Sequence, residues 1–178
     1  MEVILRKFEP NDITKIKYFF EVSNSWKQTD APWEDWSYGE NYELNRRLQK
    51  TSHNPCFEFE IIYNNEHIGW ISSYYMTDNF KWNDFEKTNK IAIGIDIADS
   101  KYRDLGIGKE AYKQYINYYK NLGFTELYTQ TWSGNIPMIN LAKSLGFEEI
   151  NRYKNLRTIN GKKYDALTFK IDLKTTTF

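Results

Sequence analysis

Arg103-Asp104-Leu105-Gly106-Ile107-Gly108 decides how this chain is read. It joins two legible elements. Lys90 to Ile97 alternates as a strand, with Ile91, Ile93, Ile95 and Ile97 on one side. Lys109 to Leu122 reads as a helix, with Ile107, Ala111, Tyr115, Ile116 and Tyr119 near one face. A glycine loop leading from a strand into a helix N-terminus is a physical anion site. Glycines lack a Cβ, so backbone N–H groups can approach an oxygen closely. The first helical N–H groups have no intrahelical partner, and the helix dipole adds partial positive charge. Arg103 adds a full charge at the loop entrance. A pyrophosphate is the expected occupant. The spacing is not that of a dinucleotide fold, since no third glycine sits at the required offset. It is not a Walker loop, since no Gly-Lys-Ser/Thr follows.

A second segment runs from Asn135 to Phe147, after a strand at Glu126 to Trp132. Asn135 suits an N-cap, Pro137 fits a first helical turn, and Gly146 suits a helix end. The order strand, glycine loop, helix, strand, helix, Gly146-Phe147 resembles the GNAT N-acetyltransferase superfamily. The likeness spans about Ile4 to Leu173 and is specific between Ile91 and Phe147. It implies a single α+β domain over residues 1–178: a twisted, mostly antiparallel sheet of six to seven strands flanked by about four helices, splayed to hold a pantetheine arm. It implies acetyl-CoA as the acetyl donor. Arg103, Asp104, Leu105, Gly106, Ile107, Gly108 and Lys109 then form the pyrophosphate loop. Ile97 and its strand, Ile93 to Ala98, hold pantetheine through backbone groups, and Asn135 contacts the arm near the thiol. Many members carry a tyrosine acid on the last helix. In this register that position is Ala142.

Composition narrows the partners. The chain has 178 residues, 24 basic and 24 acidic, for zero formal net charge. That disfavours nucleic acid, which needs a basic face. No stretch approaches the ~18 apolar residues of a membrane span, and no secretory core opens the chain. The single Cys56 fits a reducing cytoplasm and reads as a small buried residue. His53 and His67 are isolated and read as turn or loop residues, so no metal site is expected. No G-x-S-x-G signature is present. A homodimer stays open.

Elsewhere, Val3 to Phe8 reads as a strand, Pro10 to Val22 as a helix and Tyr38 to Lys50 as another. Phe57 to Tyr63 and Ile68 to Tyr75 form a hairpin about Asn64-Asn65, and Thr77 to Asn89 is a long loop. Arg152 to Arg157 and Tyr164 to Leu173 pair about Asn160-Gly161.

An amine acceptor arrives protonated and must lose a proton before it attacks a thioester. Strand parity sets Asp96 beside Ala92, Gly94 and Ala98. Small neighbours leave room around that carboxylate, which nominates Asp96 as the base; a strand-end ion pair is the alternative. Trp26, Trp33, Trp36, Trp82 and Trp132 are many indoles for one domain. Those from Trp26 to Trp36 interleave with Asp30, Glu34 and Asp35, a combination suited to a cation. Trp33, Asp35 and Trp36 are the expected acceptor wall. A short likeness of Gly94-Ile95-Asp96 and the Asn64-Asn65 hairpin to aminoglycoside acetyltransferases favours a small cationic amine. A protein N-terminus, a polyamine, an amino-acid-like metabolite, or a non-catalytic acyl-CoA sensor are the competing readings.

Overall fold

Alternation, glycine turns and caps assemble the expected elements. The computed structural model describes residues 2–83 and 87–178. Residues 84–86, part of the expected long loop, and the side chain of Trp82 lie outside the described residues. The strands are β1 (Val3–Arg6), β2 (Glu58–Tyr63), β3 (Glu66–Met76), β4 (Trp82–Asn83), β5 (Ile91–Ile97), β6 (Glu126–Trp132), β7 (Glu148–Ile159) and β8 (Lys162–Asp172). The helices are α1 (Ile13–Glu21), α2 (Glu40–Ser52), α3 (Ile107–Asn121) and α4 (Ile136–Ser144). The strand order is β1-β2-β3-β5-β6-β8-β7, with β4 on β3. Only the β5–β6 pairing is parallel among those described, at Ala92 and Tyr128. The expected α+β fold with a mixed, mostly antiparallel sheet and four helices is therefore observed. No described helix is long and apolar enough to cross a membrane.

The chain divides into two compact units, and β3, β5 and α3 run through both. The first (Met1–Ser72 and Ile95–Tyr115) packs Phe8, Ile16, Phe19, Phe20, Trp26, Trp70 and Ala98 into one buried cluster. The hairpin turn at Asn64-Asn65 takes φ of 48° and 66°. Asparagine tolerates that left-handed geometry, and it matches the twist of the flanking strands.

The second unit (Ser73–Gly94 and Ile116–Phe178) gathers Met76, Ala92 and Tyr128. The Thr129 hydroxyl donates to the Ile93 carbonyl at 2.8 Å. The β7–β8 hairpin is longer than its sequence suggests, because β7 starts at Glu148. β7 is exposed almost throughout, so no burial alternation marks its first half.

Two differences have physical causes. The expected first helix opens as a 3-10 turn over Pro10–Asp12, closed by Asp12 N–H donating to Glu9 O at 2.8 Å. His67 is not a loop residue. It lies in β3 with its Nε2 2.7 Å from Glu60 Oε2 and its ring edge-on to Phe19.

Candidate functional site

The glycine loop follows β5 directly. Asp99 caps a short 3-10 turn by accepting from Lys101 N–H at 3.2 Å. Asp104 and Gly106 then take φ of 60° and 79°. Both fall in the left-handed region, where glycine is at ease and aspartate is tolerated. Ile107 is buried and anchors α3, whereas Asp104, Leu105, Gly106 and Lys109 stay exposed. The first helical hydrogen bond runs from Glu110 N–H to Gly106 O at 3.1 Å. The N–H groups of Ile107, Gly108 and Lys109 therefore precede the ladder and can serve a ligand.

The two glycines differ. Gly106 needs its residue type for φ, and a Cβ there would meet nothing within 4 Å. A Cβ at Gly108 would make only ordinary contacts, 3.7 Å to Ile97 and 3.8 Å to Ile95. The fold does not require glycine at 108. Glycine there keeps the approach to the first helical N–H groups open.

Arg103 is not a free cation at the loop entrance. Its Nε donates to Ile97 O at 2.9 Å and its Nη2 to Ala98 O at 3.5 Å. It ties the end of β5 to the loop. Burial lowers its pKa, opposed by the charges of Asp96, Asp104 and Asp99.

Asp96 sits on β5 just before this clamp, partly accessible to solvent. Two strand positions earlier, a Cβ on Gly94 would touch nothing within 4 Å. The other two small residues expected on this face, Ala92 and Ala98, are fully buried in core clusters. From below, a Cβ on Gly69 would lie 1.9 Å from the Asp96 carbonyl oxygen. The β3 backbone therefore presses against the backbone that carries Asp96. Burial drives the Asp96 pKa well upward, and the negative charge of Asp30 adds to this. Arg47 and Arg103 pull the other way, while Glu58 adds to the rise.

Asp30 belongs to the Trp-rich loop. Its N–H donates to Trp26 O at 2.9 Å. Burial first, and Glu34 second, push its carboxyl up to about 6. In sequence Asp30 is one of three acids among the indoles and no part of the expected wall; its influence on Asp96 is a tertiary fact. Lys27 fixes the loop by donating to Phe20 O at 2.7 Å and Trp36 O at 2.9 Å.

The expected acceptor wall divides by role. Trp36 packs against the buried cluster, edge-on to Trp26 at 4.9 Å, and its indole N–H donates to Ala31 O. Trp33 is partly buried, with its indole N–H on Glu34 Oε1 at 2.9 Å. Asp35 is exposed and accepts from Ser37 N–H.

In the second unit, Asn135 caps α4. Its Oδ1 accepts from Met138 N–H at 3.2 Å, and the residue is buried. Ala142, where many family members carry a tyrosine, is fully buried.

The family model for the acetyltransferase (GNAT) domain matches residues 5–168. No curated protein matches in sequence. Among solved structures, a ribosomal L7/L12 alpha-N-protein acetyltransferase in complex with coenzyme A aligns with a TM-score of 0.77 at 14% identity, covering 96% of this chain and 93% of that one. A Salmonella typhimurium structure with its cofactor acetyl-CoA aligns at 0.75 and 16%, covering 99% and 96%. A ribosomal-protein-alanine N-acetyltransferase from Brucella melitensis aligns at 0.74 and 17%, covering 95% and 99%. At such identities the likeness is one of fold.

Proposed function

Since the chain belongs to the GNAT acetyltransferase family, we propose that it acetylates a small cationic amine, aminoglycoside- or polyamine-like, by direct attack in a ternary complex. The coarser activity, acetyl-CoA-dependent acetyl transfer, follows from the family. Acetyl-CoA supplies an acetyl group activated as a thioester. The backbone N–H groups from Leu105 to Lys109 would hold its pyrophosphate, with Arg103 and Asp104 shaping the loop. Backbone groups of β5, Ile97 among them, and Asn135 would hold the pantetheine arm.

Asp96 carries the proposal. It is a strand-end carboxylate beside open space at Gly94, with its pKa driven upward by burial. A base must bind the ammonium proton tightly enough to take it, so an elevated pKa improves the match. Asp96 accepts the proton directly or through one water, and its charge attracts the cation. Activity should fall as pH drops through its raised pKa, because only the ionised form is a base. Asp30, Glu34 and Trp33 supply the negative and aromatic surroundings a cation prefers. Ala142 leaves no side-chain acid on α4, and a thiol with a pKa near ~8.5 leaves as thiolate without one.

The test is Asp96→Asn. It keeps the shape and removes the base, so kcat should fall roughly 10²-fold or more while acetyl-CoA affinity holds. Near wild-type kcat on the acceptor would reduce Asp96 to a structural residue. A panel of amines, followed by thiol release, identifies the acceptor. Ribosomal-protein N-termini belong in that panel, because two fold neighbours act on ribosomal proteins. The single Cys56, a buried thiol outside any disulfide, supports a reducing cytoplasmic setting.

A further inference from the structure

Arg47 is wholly buried, and the acetyl transfer gives it no direct task. Its Nη1 donates to Glu58 Oε1 at 2.8 Å and Glu60 Oε1 at 3.1 Å, and its Nε lies 3.4 Å from Glu43 Oε2. Its Nη2 is buried with no hydrogen-bond partner among the described residues. The guanidinium lies over the Trp70 indole, 4.6 Å from its centroid. Arg46 bonds Glu43 Oε2 and Glu58 Oε2, and His67 meets Glu60 from β3. Glu43, Arg47, Glu58 and Glu60 are all nearly or fully buried. Apolar residues of the same volume often stabilise a fold as well as such a cluster does. Stability is therefore a poor reason for it.

The strands show what it faces. Met76 N–H donates to Lys90 O, and Ala98 N–H to Ile68 O. One antiparallel register satisfies both bonds and sets Trp70 across from Asp96, with both side chains on one face of the sheet. Trp70 and Ala98 share one buried cluster, as that register requires. Glu60 pairs with Trp70 in the β2–β3 ladder, so it joins the same face. The guanidinium resting on Trp70 thus lies over the part of the sheet that carries Asp96.

We infer that Arg47 is a positioning residue for Asp96: the buried guanidinium, braced by Glu58 and Glu60 against Trp70, sets the charge of the strand carboxylate that receives the amine. The inference rests on the reading of Asp96 as base. The charges acting on Asp96 come from four elements: Asp30 on the Trp loop, Arg47 on α2, Glu58 on β2 and Arg103 on the glycine loop. Arg47 in turn is surrounded by Glu43, Arg46, Glu58, Glu60 and, more distantly, the buried Tyr38 hydroxyl. Its attraction keeps Asp96 ionisable against burial and Asp30.

The experiment titrates Asp96 itself. Protein labelled with 13C at the aspartate carboxyls is followed by NMR against pH, with Asp96 assigned by its loss in Asp96→Asn. Two double variants remove the cation together with Glu60 and leave Glu43 and Glu58 to Arg46: Arg47→Gln with Glu60→Gln, and Arg47→Met with Glu60→Met. Glu60→Gln alone is the control. In the doubles the Asp96 midpoint should rise above that of the Glu60→Gln control, as the loss of an opposite charge requires. The acid limb of kcat/KM should rise with it. Arg47→Lys, which keeps the charge, should restore most of the wild-type midpoint. A folded double with an unmoved midpoint overturns the inference. So does failure of both doubles to fold, which would make Arg47 structural. If the midpoint moves but Asp96→Asn stays active, the base reading fails and the Arg47–Asp96 coupling stands.

Discussion

Asp30→Asn should stabilise the protein at neutral pH and lose that advantage in acid. Burial and Glu34 raise the Asp30 carboxyl from 3.8 to about 6. The folded state then holds the proton more tightly than the unfolded chain does. Between those values the native protein binds more protons, so wild-type stability falls as pH rises through the window. Each pKa unit corresponds to 1.36 kcal/mol, giving a ceiling of about 3 kcal/mol above pH ~6. Partial access to solvent reduces the expected figure to about 1–2 kcal/mol. Asparagine cannot ionise, so it removes the penalty. It also relieves repulsion on Asp96, which acts in the same direction. The assay is urea unfolding of both proteins at several pH values from about 4 to 7.5, compared at equal m. Any hydrogen bond lost with the carboxylate shifts all pH values alike, so the pH dependence isolates the electrostatics. A difference that stays flat across the range, or that grows toward acid, would refute the reasoning.

Gly108→Ala should leave stability unchanged or raise it by up to about 1 kcal/mol, since alanine is the better helix residue and the fold has room for it. Acetyl-CoA affinity measured by calorimetry should nevertheless fall, and unchanged affinity would remove the pyrophosphate from the start of α3. Gly69→Ala should cost about 1–3 kcal/mol in urea unfolding and lower kcat, because its methyl must displace the Asp96 carbonyl. A neutral result in both would mean β3 yields freely. Trp36→Ala should destabilise by about 3–5 kcal/mol as a packed residue. Trp33→Ala should keep the fold and raise the amine KM, and a Trp33 variant with unaltered KM would move the acceptor wall elsewhere.

What the sequence shows and hides follows from which physics writes a pattern. β5 and the glycine loop are legible because alternating isoleucines suit a strand and little else, and paired glycines ahead of a helix suit a loop. Asn64-Asn65 and Asn160-Gly161 mark their turns because few residues accept positive φ. The buried stripe of α2 is Glu43, Arg47 and Thr51, at helical spacing but polar. Hydrophobic periodicity cannot detect such a stripe. β2 hides its charges in the same way, with Glu58 and Glu60 buried between apolar neighbours. Asp30 stands out in sequence for its setting among indoles, but only the folded loop brings it within reach of Asp96. Trp36 reads as a binding surface in sequence, and its packing edge-on to Trp26 appears only in the fold.

The tryptophan packing has an optical consequence. Trp26 lies 4.9 Å from Trp36 and 4.9 Å from Trp70, at interplanar angles of 66° and 87°. Indoles this close and this steeply inclined share their excitations, and fixed aromatic packing is what near-ultraviolet circular dichroism records. The trio should give a signed couplet rather than three independent bands. Trp26 also carries the carbonyl from which Asp30 hangs, and Trp70 carries the guanidinium of Arg47. The chromophore is therefore built into the cluster that holds Asp30 and Arg47. Seating of an amine, or a change of protonation there, can be followed in the unlabelled protein as a change in the handedness and size of its own light absorption.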